Sequence, residues 1–279
     1  VFDGPARPRK ACPGKARFRG RGMPLADPEQ EGSTTVSAQR GGHAMHDVQL
    51  QEKGRLVRAV EGIVFDVDGT LVDSNDAHAR AWVEALAEAG HAVPFERVRP
   101  LIGMGGDKLL PAAAGLAAES AEGEAIGRRR GEIFRERHLP HLTAFAGARE
   151  LLRTLRAHGF RLGVASSAEE ADLAPLLRLA GADDLLHART SGDEAESSKP
   201  DPDILVAALR ELGCAPADAV MIGDTPYDME AASRTHLRAF GFRCGGWDDR
   251  ALQGAVAIYD GPEDLLRRLE SSPLFRIAP

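Results

Sequence analysis

From residue 56 onward, short apolar runs alternate with stretches of helical period, and this order of elements constrains the fold more than any other feature of the chain. Leu56–Phe65 reads as a buried strand, with Gly62–Phe65 its surest part, and Asp66 follows directly. Phe160–Ser166, Leu185–Thr190, Ala219–Ile222, Leu237–Phe242 and Ala255–Tyr259 are the later strand candidates. Between them, Gly147–His158, residues 168–180, Asp203–Leu212, Pro226–Arg234 and Pro262–Leu269 carry helical spacing. Strands and helices in alternation predict an α/β fold, a doubly wound parallel sheet covered on both faces. The first two strands are separated by a purely helical block, with helices predicted over Asp76–Ala89 and around 94–102, 106–118 and 119–138. A simple crossover needs far less chain than that. The block is therefore an inserted helical cap over 76–143, and 55–75 with 144–279 make a Rossmann-like core. Residues 1–54 read as a disordered or non-native tail, since the Gly, Pro, Arg and Ser of its first 44 residues carry no hydrophobic period.

Charge narrows the partners. Residues 1–44 hold 8 Lys/Arg against 4 Asp/Glu, whereas the formal net charge of the whole chain is −7. The body is thus strongly acidic and unsuited to general nucleic-acid binding, which relies on Lys and Arg at phosphates. No apolar run is long enough to span a bilayer, and no apolar h-region follows the basic N-terminal residues, so no membrane partner is expected. Cys12, Cys214 and Cys244 are far apart and show no metal-ligand spacing, which suits a reducing, cytoplasmic setting.

Chemistry concentrates at the predicted strand ends. In Ile63-Val64-Phe65-Asp66-Val67-Asp68-Gly69-Thr70, two carboxylates stand two residues apart, so an extended chain turns both toward one cleft. That cleft lies at the carboxyl edge of the parallel sheet, where such folds bind ligands. Gly69 permits a tight turn, after which backbone amides at Gly69 and Thr70 can hold phosphate oxygens. Ser166 closes a strand with Ser167 beside it, Lys199 precedes a proline, and Asp224 and Asp228 follow the strand Ala219–Ile222.

These segments resemble the haloacid dehalogenase-like hydrolase superfamily, in the order that family shows them. Asp-x-Asp-Gly-Thr at Asp66 is similar to its first motif, Ser166 after FRLGVAS to its second, Lys199 in SSKPDPD to its third, and Gly223-Asp224-Thr225-Pro226-Tyr227-Asp228 to its acidic fourth. The resemblance spans about residues 60 to 260 and implies a phosphatase acting on a small-molecule phosphate ester, closest in flavour to phosphoglycolate phosphatases. It makes Asp66 the nucleophile, Asp68 the acid and base, and Ser166 and Lys199 the groups that hold the phosphoryl oxygens.

Electrostatics makes a matching demand. Asp66, Asp68, Asp224 and Asp228 in one cleft repel each other and a phosphate by about 4 kcal/mol per unit pair at ~4 Å and an effective dielectric of ~20. A cation is required, and Mg²⁺ suits oxygen ligands with waters and substrate oxygens in the remaining positions. The expected ligands are the Asp66 and Asp224 carboxylates and the Asp68 carbonyl, with Asp228 behind.

Blander readings stay open for single residues. Asp68-Gly69 alone is a turn, Ser166, Asp224 or Thr225 alone a helix cap, and Lys199 or Asp228 alone a solvated charge. In the cap, His78 is either a cleft residue or a structural one, and Lys108 of Gly105-Gly106-Asp107-Lys108 either binds a substrate anion or lies exposed. A sugar-phosphate mutase is the nearest alternative, although its expected cap arginine is missing around Gly106–Lys108. A receiver module and a non-catalytic phosphosugar binder are the others; the chain is too long for the first and keeps every expected catalytic position against the second.

Overall fold

The computed structural model describes residues 56–277, and the predicted tail over 1–54 lies outside them. In chain order the elements are β1 (Leu56–Arg58), β2 (Gly62–Phe65), α1 (Asn75–Glu88), α2 (Phe95–Val98), α3 (Gly106–Ala114), α4 (Ala121–Ile133), α5 (Ala148–Ala157), β3 (Arg161–Ala165), α6 (Glu170–Ala180), β4 (Ala188–Thr190), α7 (Asp203–Leu212), β5 (Ala219–Gly223), α8 (Pro226–Arg234), β6 (Arg238–Phe242), β7 (Ala257–Tyr259), α9 (Pro262–Arg267) and β8 (Phe275–Ile277).

Six strands form one parallel sheet in the order β4-β3-β2-β5-β6-β7. The central strand β2 alternates its side chains between two cores. Ile63 and Phe65 face one hydrophobic cluster with Leu151 of α5 and Leu173 of α6, while Val64 faces a second with Leu205 of α7 and Met229 of α8. This is the doubly wound α/β sandwich expected of strands buried on both sides. Phe65 pairs with Val164 of β3 and with Ile222 of β5, so the three strands end level. That register brings Asp66, Ser166 and Asp224 to one rim.

The helical block α1 to α4 lies between β2 and α5. Its two connections to the core lie side by side, with Val72 and Ala144 in an antiparallel bridge and the Phe145 amide donating to Leu71 O.

Several elements differ from the sequence expectation. The run Leu56–Phe65 is not one strand: β1 leaves the main sheet to pair with β8, a strand the sequence reading missed. The helix expected over 106–118 stops at Gly115, whose φ of +74° supplies a left-handed cap. The helix expected over 119–138 is α-helical only to Ile133 and continues as a π turn over Phe134–His138. The helix expected around 94–102 is a single α turn followed by a 3-10 turn at Arg99–Leu101. Among the described residues no helix is long and apolar enough to cross a membrane.

Candidate active site

The rim of the sheet carries a buried charge cluster. Lys199, in the loop between β4 and α7, has no exposed surface, and its Nζ lies 2.5 Å from Asp66 Oδ1 and 2.8 Å from Asp228 Oδ1. Asp224, directly after β5, is also fully buried; its Oδ1 accepts from Thr70 Oγ1 at 2.9 Å and its Oδ2 from Asn75 Nδ2 at 2.8 Å. Asp228 Oδ2 closes a capping box at the start of α8, accepting from the Thr225 amide and hydroxyl. This leaves Asp228 Oδ1 facing the Lys199 ammonium at 2.8 Å, with no other partner.

Asp66, Asp224 and Asp228 each present a carboxylate oxygen within 4.8 Å of the others. Three carboxylates against one ammonium leave two negative charges in a buried volume, an arrangement too costly to persist uncompensated. Burial pushes Asp66 well above the usual carboxylate range; Lys199 opposes this, and Asp228, Asp224 and Asp68 add to it. Burial and then Asp228 push Asp224 up to about 7 against the hydrogen bonds from Asn75 and Thr70. Burial pulls the Lys199 ammonium down, but Asp228 and Asp66 outweigh it and raise the group above the ordinary lysine value. A divalent cation fits this donor set: hard oxygens within 4.8 Å of one another and two uncompensated charges.

Asp68 points the other way, into the cap. Its Oδ1 accepts from Ser74 Oγ at 2.5 Å and lies 2.8 Å from His78 Nε2. Burial raises Asp68, but His78, Ser74 and Lys199 together overcome it and hold the carboxyl below its usual value. His78 stacks on Phe134 at 3.9 Å between ring centroids, in the π turn that interrupts the cap helix.

A small pocket of about 50 Å³ opens between cap and core, lined by Asp66, Asp68, His78, Trp82, residues 102–106, Arg130, Ser167 and Ala168. The structure thus brings Asp66, Asp68, His78 and Ser167 to one pocket, with Lys199, Asp224 and Asp228 packed behind Asp66. Ser166 is buried beside it; its Oγ accepts from the Ala168 amide, which uses a lone pair and leaves the O–H to donate.

Three expected substrate contacts are used differently. The amides of Gly69 and Thr70 close the turn on Val72 and Val67, and the Thr70 hydroxyl holds Asp224. Lys108 lies outside the pocket, paired with Asp201 Oδ2 at 2.7 Å and donating to Ser198 O. With the Gly105 amide on Ser198 Oγ, it ties the cap's glycine-rich loop to the core. The sequence reading missed Asn75, Trp82 and Arg130. Arg130 sits in the run Arg128-Arg129-Arg130, which by itself resembles a solvated face; only the i+3/i+4 spacing of Ile126, Arg130 and Ile133 marks it as inward.

Residues 60–235 match the haloacid dehalogenase-like hydrolase family. The chain belongs to that family. It is 31% identical over 225 residues to the probable phosphatase IndB of Dickeya dadantii, covering 76% of this chain and 97% of that protein. A phosphoglycolate phosphatase of Nitrosospira multiformis is 33% identical over 186 residues, 65% of this chain and 82% of the relative. Among solved structures, a hydrolase from Pseudomonas syringae superposes with a TM-score of 0.71 at 30% identity, over 76% of this chain and 98% of that one. This haloacid dehalogenase-like hydrolase is therefore an enzyme of the phosphatase kind.

Proposed function

We propose that the enzyme hydrolyses a small-molecule phosphate monoester with Mg²⁺ as cofactor, through an aspartyl-phosphate on Asp66. The observation that carries this reading is the contact of Lys199 with Asp66, which lines the pocket, with Asp224 and Asp228 buried behind it. Asp66, Asp224 and Asp228 are the side chains that would hold the ion, which supplies positive charge against the phosphoryl oxygens and the attacking carboxylate.

Lys199 fixes the orientation of the Asp66 carboxylate and adds a charge against a phosphoryl oxygen. The Ser166 O–H donates to another. Asp66 attacks phosphorus from the side opposite the leaving alkoxide, and the P–O ester bond breaks as the Asp66 O–P bond forms. Asp68 holds the other proton-transfer position. His78 and Ser74 favour its carboxylate before substrate binds, and an arriving phosphate dianion reverses that preference by like-charge repulsion. The proton so gained passes to the leaving oxygen, and Asp68 then draws a proton from the water that cleaves the acyl phosphate. The cap, with His78, Trp82 and Arg130, shuts bulk water from the pocket and selects the leaving group.

A panel of phosphate esters, phosphoglycolate and sugar phosphates among them, assayed for phosphate release with Mg²⁺ and again with EDTA, tests the reading. Metal-dependent release from at least one small ester is expected. Turnover unaffected by EDTA, or none across the panel, contradicts it.

A further inference from the structure

A second buried charge cluster joins cap to core, and the proposed phosphoryl chemistry assigns no role to its carboxylate, Asp172. Asp172, in the first turn of α6 on the core, is fully buried. Its Oδ2 accepts from Arg130 at 2.6 Å and its Oδ1 from Arg135 at 2.6 Å. Both arginines belong to the cap, Arg130 to α4 and Arg135 to the π turn that follows it. The Arg130 guanidinium lies 5.3 Å from the Trp82 ring, and both side chains line the pocket that holds Asp66 and Asp68. Arg130 itself is only 8% exposed, and its Nε has no acceptor.

A carboxylate with no exposed surface persists only when it is paired, and any separation of the cap from α6 would strip Asp172 of both guanidinium partners. The contact therefore requires the cap to lie against the core as it does here. One carboxylate against two guanidinium groups also leaves one positive charge beside the pocket. A helix N-terminus alone would stabilise Asp172, so its place on α6 does not explain why two cap arginines converge on it.

We propose that Asp172 is a positioning residue: it clasps the closed cap through Arg135 and holds Arg130 oriented in the pocket, so that an anionic leaving group meets a guanidinium already in place. The substrate half of this proposal rests on the phosphatase reading; the clasp does not. Holding Arg130 in advance spares the ordering of a long side chain at the moment of binding, and its effect falls on substrate affinity.

The test uses the full chain and the variants Asp172→Asn, Asp172→Glu and Arg135→Met, each read in two ways. Hydrogen–deuterium exchange without substrate follows the α4–π-turn segment and the start of α6. Steady-state kinetics compares phosphoglycolate, whose leaving group carries a carboxylate, with p-nitrophenyl phosphate, whose leaving group does not. In Asp172→Asn, exchange in the two clasp segments is expected to rise at least tenfold while β2 and β5 keep their protection. KM for phosphoglycolate is expected to rise about tenfold with kcat within threefold, and KM for p-nitrophenyl phosphate to move less than threefold. Asp172→Glu is expected to recover at least part of both effects. Unchanged exchange in Asp172→Asn, or an equal KM rise for both esters, overturns the proposal. Should Asp172→Asn not fold, Arg135→Met, which leaves Arg130 paired, decides the clasp by the same exchange criterion. If the wild-type enzyme turns over no ester of the panel, the phosphatase reading fails while the exchange result still decides the clasp.

Discussion

Lys199 Nζ stands 2.5 Å from Asp66 Oδ1, and the lysine side chain is completely buried. A buried ammonium of this kind is tolerable only because Asp66 and Asp228 face it, and they in turn depend on it. Lys199→Met therefore leaves Asp66, Asp224 and Asp228 with no paired cation among the described residues. A loss of about 3–5 kcal/mol of stability is expected for breaking one partner of a buried pair. Chemical denaturation with and without Mg²⁺ checks this, and added Mg²⁺ should restore part of the loss but not turnover.

Asn75 offers a separate handle on the proposed ion site. Its Nδ2 donates to Asp224 Oδ2 at 2.8 Å and lies 3.1 Å from Gly245 O, so it fixes one carboxylate without touching the pocket. Outer partners of this type are worth roughly 10–100-fold in metal affinity or activity. Asn75→Ala should raise the Mg²⁺ concentration needed for half-maximal activity by about tenfold, as a Mg²⁺ titration of phosphate release would show. An unchanged titration would mean that Asp224 needs no such support.

Much of this site is legible in the sequence, for a physical reason. The strands β2, β3 and β5 are short, unbroken apolar runs in the middle of the sheet, and a residue placed just after each must lie on the same rim. The rim position of Asp66, Ser166 and Asp224 follows from that alone, whereas the roles expected of them come from the resemblance to the family. The turn amides were misjudged because Gly69 and Thr70 satisfy their own loop, a matter of backbone pairing that no residue type announces. Arg130 was hidden because a triple arginine looks solvated, and β8 because three residues beside the chain end carry too little pattern. The π turn at Phe134–His138 escaped notice because helical spacing is read at 3.6 residues per turn, and a wider turn preserves most of that pattern.

Gly69 has φ +77°, and a Cβ there would run into Asn75 and Asp224. Both the left-handed backbone and the space are therefore denied to a larger residue. Gly69→Ala should cost about 1–3 kcal/mol of stability from backbone strain alone and displace Asp224. Thermal unfolding and activity are expected to fall together.

Lys108 pairs with Asp201 at a half-exposed position on the cap–core seam, away from the pocket. Partly exposed pairs of this kind contribute about 0–1 kcal/mol. Lys108→Met is expected to leave kcat within about threefold and to change stability by less than 1 kcal/mol. A large rise in KM would instead place the ammonium on the substrate.

Trapping of the covalent intermediate tests the central claim most directly. The enzyme is mixed with a phosphate-labelled ester and Mg²⁺, quenched in acid within one turnover, and the labelled peptide is identified. A hydroxylamine-labile phosphoryl group on Asp66, absent from a folded Asp66→Asn variant that no longer turns over, is the predicted result. Label on any other residue, or full activity in Asp66→Asn, would contradict the account.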